Sequence, residues 1–182
     1  MSTDTLDQQL LRFRADAQRW LEAVQDIEGT TAFYGIMARA CEHLDHIITT
    51  AAFRALVITD AAPSDSVQSI TGGKPPDKLT MGQCVQLLIT LKPALSRALA
   101  DRTLPDSPFP KQLVTLLQNV SRTRNDFAHR RFPRDRAKFD DRDAYIRAAI
   151  AETRDFLADG LRMTAFPFFL DLASHDQSQE RA

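Results

Sequence analysis

The chain has 182 residues, enough for one domain whose core needs no staple. Its 43% hydrophobic and 26% charged fractions, with only 6 glycines, fit a soluble helical chain better than a turn-rich β protein. A formal net charge of −1 excludes a globally basic polyanion binder, and no stretch approaches the roughly 20 apolar residues of a bilayer span.

The opening run MSTDTLDQQLLRFRADAQ is too polar for a signal peptide. Leu6, Leu10, Phe13, Ala17, Trp20, Leu21, Val24 and Ile27 recur at spacings of three and four, which predicts an amphipathic helix from about Asp4 to Ile27. Glu28-Gly29-Thr30 reads as its stop and the next cap. A long second helix is predicted from about Thr31 to Thr59, striped by Phe33, Ile36, Met37, Ala40, Leu44, Ile47, Ile48, Ala51, Ala55 and Leu56. Residues 60–79 read as a loop. Gly72-Gly73-Lys74 is no phosphate loop, since Pro75 stands where Ser or Thr should follow the lysine.

A third helix is predicted from Thr80 through Leu99, kinked or divided at Pro93. After a proline-rich loop, Leu104 to Pro110, a fourth helix is predicted from Pro110 to Ala128 or beyond, ended by Pro133. A fifth spans about Asp141 to Leu161. The cluster Phe166 to Leu172 must dock back on the bundle or form an interface, and His175 lies idle in a polar tail. The expected architecture is all-α: an up-and-down bundle of about five helices over residues 1–165, with the apolar cluster and tail as 166–182.

The fourth helix carries an anomaly. Its stripe runs Leu113, Leu116, Leu117, Val120, then Arg124, then Phe127. An arginine in an apolar stripe needs a cleft, an interface or a paired acid, and Glu42 on the long helix is the acid expected to orient it. His129 follows five residues on, and Asn125 lies one helical turn before His129, within reach of its ring or of a phosphate. From Arg122 to Lys138 seven basic residues face two acids. This local patch (Arg122, Arg130, Arg131, Arg134, Arg136) suits an RNA backbone.

Three pairs obey an Arg-x4-6-His spacing: Arg39 with His46, and Arg122 or Arg124 with His129. Asn125, the late-helix position and the basic flank single out Arg124 with His129. Arg39 and His46 read as solvated residues of the second helix. Cys41, His43, Asp45 and His46 make an incomplete metal-ligand set and read as an exposed polar face. Cys41 and Cys84 match no redox spacing and fit a reducing, cytoplasmic setting.

The stretch Arg124-Asn125-Asp126-Phe127-Ala128-His129 resembles the signature of HEPN-domain ribonucleases, and Leu79-Thr80-Met81-Gly82-Gln83 to Leu88 resembles the helix before it in bacterial members. The resemblance implies a dimeric helical bundle that cleaves RNA without metal or cofactor, using the substrate 2′-OH as nucleophile. It implies catalytic roles for Arg124, His129 and Asn125, two motifs facing across a two-fold axis, and use as a toxin or antiviral effector with an antitoxin or regulatory partner. The chemistry is coherent, since histidine can take the 2′ proton and guanidinium matches a phosphorane dianion. Many toxin members continue the motif as His-x-Tyr, the tyrosine being modified by a nucleotidyltransferase antitoxin. Arg131 stands there instead, which argues against that control. The alternative is a non-catalytic helical module of the same type that binds nucleotide, RNA or a protein, with Phe166 to Leu172 as a partner site.

Overall fold

Two helices open where Thr-x-x-Gln supplies a reciprocal cap. Thr5 N–H donates to Gln8 Oε1 at 3.0 Å, and Gln8 N–H returns to Thr5 Oγ1 at 3.3 Å. Thr80 and Gln83 repeat the pattern at 3.0 and 3.3 Å. The computed structural model describes residues 5–25, 32–59, 65–99, 110–134 and 141–179. Among the described residues it is all-helical: α1 (Leu6–Gln25), α2 (Ala32–Thr59), α3 (Asp65–Thr71), α4 (Met81–Leu99), α5 (Lys111–Ala128), α6 (Arg142–Thr164) and α7 (Pro167–Gln179).

Five long helices form the up-and-down bundle. They close a ring in the order α1, α2, α4, α5, α6 and back to α1, and α2 also meets α6. The stripe of α2 lies in the core: Phe33, Met37, Ala40, Leu44, Ile47, Ile48, Ala51 and Ala55 are all buried. Gly160 lets α6 approach α1 closely, since a Cβ there would stand 2.7 Å from Phe13 Cζ. No helix among the described residues is long and apolar enough to cross a membrane.

Four local expectations change. Residues 60–79 are not a plain loop. Their described part holds α3 and a 3-10 turn at Pro76–Lys78, because Val67, Thr71 and Leu79 find burial against the bundle. Gly72 and Gly73 then end α3 at φ 58° and 73°, a conformation glycine adopts without cost. Pro93 does not divide α4, whose buried Leu91 and Leu95 hold both flanks in the core. Pro110 caps α5 rather than entering its first turn. Pro133 does not end α5, which stops at Ala128.

The helix that follows residue 165 packs on the bundle. Phe168, Phe169 and Leu172 are buried, the two rings meet edge-on at 5.3 Å, and Arg54 Nη1 donates to Leu172 O at 2.9 Å. α7 packs on α1 and α2, so these three side chains are not available as a partner surface. Leu170 alone of the large apolar residues here stays exposed. The Glu28–Thr30 stop, the loop from Leu104 to Phe109, and the positions Ile27 and Arg136 lie outside the described residues.

Candidate functional site

α5 buries Leu113, Leu117 and Val120, and Arg124 continues that face one turn later. It is half-buried and has found an acid. Its Nε and Nη2 both donate to Asp45 Oδ2 of α2, at 3.0 and 2.8 Å. The partner is therefore Asp45 and not Glu42, which is exposed on the next turn back. The reason is readable on α2. Asp45 has buried Cys41 at i−4 and buried Ile48 at i+3, so it stands at the edge of the apolar stripe, while Glu42 has exposed Ala38 and His46 as its i±4 neighbours. Two donors spent on one oxygen leave Nη1 aimed elsewhere. Among the described residues its only hydrogen bond is to Asn125 Oδ1 at 3.5 Å.

The helix ends just past this pair. His129 N–H donates to Asn125 O at 2.9 Å, Arg130 N–H to Phe127 O at 3.1 Å, and Arg131 N–H to Asp126 O at 2.7 Å. This is a Schellman closure, with Arg130 in the left-handed position at φ 57° that glycine normally fills. His129 is thus the C-cap and its side chain is exposed. Asn125 and His129 are joined through the backbone. Among the described residues no side-chain hydrogen bond links them, and none links His129 to Arg124. Behind the turn, Phe132 is buried and packs edge-on against Phe127 at 5.7 Å, with Phe33 beyond it at 6.3 Å.

A cleft of about 400 Å³ opens beside Arg124. Its floor and walls are Cys41, Glu42, Asp45 and His46 from α2, and Arg124, Phe127 and Ala128 from α5. The histidine lining it is His46, which was expected only as a solvated residue. His129 begins one residue beyond the rim at Ala128. Burial pushes the Cys41 thiol up to about 12, Asp45 adding to the effect and Arg124 opposing it, so Cys41 is protonated at neutral pH and no nucleophile. His43 turns away from the cleft. It stands edge-on to Trp20 at 5.6 Å and 3.7 Å from Asp16, and burial lowers its pKa against the opposing Asp16 and Glu42. The α2 segment is therefore not a uniformly exposed polar face: Cys41 is buried, His43 packs on aromatics and Asp45 is paired. Among the described residues no group of three or more His, Cys, Asp or Glu side chains converges as metal ligands would.

The basic flank divides. Arg122, Arg130 and Arg131 are exposed. Arg134 is tied down: its Nε meets Asp126 Oδ2 at 2.9 Å, its Nη2 meets Thr123 Oγ1 at 2.8 Å, and its N–H meets Glu152 Oε1 at 2.8 Å. It closes a second charged cleft, of about 310 Å³, between α5 and α6. There burial raises the Glu152 pKa, with the Arg134 N–H and guanidinium opposing and Asp126 and Asp155 adding.

Comparison of the chain with protein-family models, curated proteins and solved structures finds no match.

Proposed function

We propose that the chain is a metal-independent endoribonuclease of the HEPN type, acting on RNA at the Arg124 cleft. The observation that carries this reading is a guanidinium fixed at the rim of an open cleft with Nη1 turned from its carboxylate partner. Fixing an arginine through one edge orients the other edge, and a preoriented guanidinium is what a pentacoordinate phosphate requires. The exposed Arg122, Arg130 and Arg131 lie along the same helix end and suit the flanking RNA backbone. In the proposed reaction a base takes the 2′-OH proton, the 2′ oxygen bonds phosphorus, and the 5′ oxygen leaves with a proton from an acid. The products are a 2′,3′-cyclic phosphate and a 5′-OH end.

His129 is the base in this reading, and Asn125 holds a phosphate oxygen. Two copies with their motifs facing would place a second His129 nearby, so the acid comes from that copy or from another residue of the same chain. Action in the cytoplasm as a toxin or antiviral effector, held in check by a protein partner, belongs to the same proposal. The test is incubation of labelled RNA with wild type, Arg124→Ala and His129→Ala in EDTA. The reading predicts cleavage by the wild type and loss in both variants. Equal cleavage by all three would overturn it.

A second reading has an observation of its own. Arg124 is ion-paired, and among the described residues no side-chain hydrogen bond joins it to His129, as a helical binding module without catalysis would allow. That reading predicts RNA binding, without cleavage, that survives both substitutions.

A further inference from the structure

The proposed reaction moves two protons, and His129 accounts for one. Any second carrier must reach the same phosphate as Arg124. Among the described residues three histidines have described side chains: His43, His46 and His129. His43 is packed on Trp20 and Phe13, away from the cleft. His46 lines the cleft that Arg124 lines, one residue from the Asp45 that holds the guanidinium. Its side chain is exposed, so a substrate can meet it.

We infer that His46 is the second proton-transfer residue of the Arg124 site, working with His129 of the same chain. This rests on the ribonuclease reading and deepens it. The cleft has Arg124 on its α5 wall and His46 on its α2 wall, and His129 follows directly on the rim residue Ala128. A phosphate held by Arg124 in this cleft has His46 on the facing wall, and the inference requires His129 to reach it from just past the rim. One neutral imidazole accepts the 2′-OH proton as the O–P bond forms. The other, protonated, donates to the 5′ oxygen as its bond to phosphorus breaks, so the pair ends with its protons exchanged and no net gain. Among the described residues the charged groups that line the cleft with His46 are Glu42 and Asp45 on α2 and Arg124 on α5, and His43 lies near enough to interact with it electrostatically. The Arg39-x6-His46 pattern thus marks a usable histidine, though its arginine is Arg124 and not Arg39.

The experiment follows cleavage of a mixed-sequence single-stranded RNA in EDTA across pH 5–9, for wild type, His46→Ala and His129→Ala. His46→Ala is expected to lower kcat on the order of a hundredfold or more. It should remove one limb of the pH profile, keep the wild-type melting temperature, and regain rate with added imidazole. An equimolar mixture of the two variants, unfolded and refolded together, should stay inactive, because neither chain holds both histidines. If His46→Ala cleaves within a few-fold of wild type with both limbs intact, the inference falls and the ribonuclease reading stands. If the mixture regains activity, the two histidines act across chains and the inference falls likewise. If wild type leaves RNA intact throughout, the ribonuclease reading falls and takes the inference with it.

Discussion

α5 has a charged cleft on each side, and the two are built differently. On the α6 side Arg134 spends Nε, Nη2 and its backbone N–H on three separate partners, and Asn119 Nδ2 reaches Asp159 Oδ2 at 3.3 Å. The polar groups there close on one another and fasten α5 to α6. On the α2 side one carboxylate oxygen takes Nε and Nη2 of Arg124, Nη1 reaches Asn125 Oδ1 at 3.5 Å, and the exposed His46 lines the cleft. Both sides hold an arginine with an acid. What separates a brace from a site is how the arginine is held: Arg134 joins three partners on α5 and α6, whereas Arg124 is held by one carboxylate oxygen beside a cleft that a histidine shares.

Substitutions on the two sides sharpen that contrast. The largest effect is expected at Arg124. Arg124→Ala should cut RNA cleavage by about 10²–10³-fold, the usual cost of one transition-state donor. It should also lower stability by about 1–2 kcal/mol, since Asp45 loses a half-buried partner that solvent partly screens. Parallel kinetics and urea melts check both, and a stability loss without loss of rate would make Arg124 a brace as well.

Arg134→Ala should do the reverse, lowering stability by about 1–2 kcal/mol while cleavage stays within a few-fold. A large kinetic loss with intact fold would place Arg134 on the RNA path. Next in size is Arg130→Gly. The left-handed position costs an L-residue about 1–2 kcal/mol, and glycine returns part of that as chain entropy. A thermal melt should show a gain of up to about 1 kcal/mol, with weaker RNA binding from the lost charge.

The smallest effect is a pH dependence at Glu152. Its folded pKa is raised, so the folded state holds the proton more tightly than the unfolded chain. The stability this adds is complete below the ordinary glutamate range and is lost as pH rises through the raised value. At pH 7 the ionised carboxylate is therefore a burden, and Glu152→Gln keeps an acceptor for the Arg134 N–H without the charge. Its melting temperature should exceed that of wild type at pH 7 and match it near pH 4. A gain of equal size at both would contradict the assignment to ionisation.

The helices that carry core stripes were legible in the sequence, because periodicity alone places Phe33 to Ala55 or Leu113 to Val120 on one face. α3 was not. Its seven residues, DSVQSIT, have too few apolar positions for a period, and only packing on α4 makes Val67 and Thr71 interior. The end of α5 near Ala128 was legible, but its cause was not: Pro133 was expected to stop the helix, whereas Arg130 closes it from a left-handed position, where arginine carries no sequence signal and glycine would have. Arg124 was found as a stripe anomaly. Its partner Asp45 was within reach of the same reasoning, from its buried neighbours Cys41 and Ile48. His46 was not, since a solvent-facing histidine looks alike whether or not a cleft opens beside it.

The most direct test of the Arg124 cleft is cleavage of an RNA carrying a single 2′-deoxy nucleotide at the scissile position, in EDTA, with end-group analysis of the products. The account predicts that the all-ribose strand yields 2′,3′-cyclic phosphate and 5′-OH ends and that the deoxy position resists. Cutting at the deoxy position, or products with 5′-phosphate ends, would contradict it.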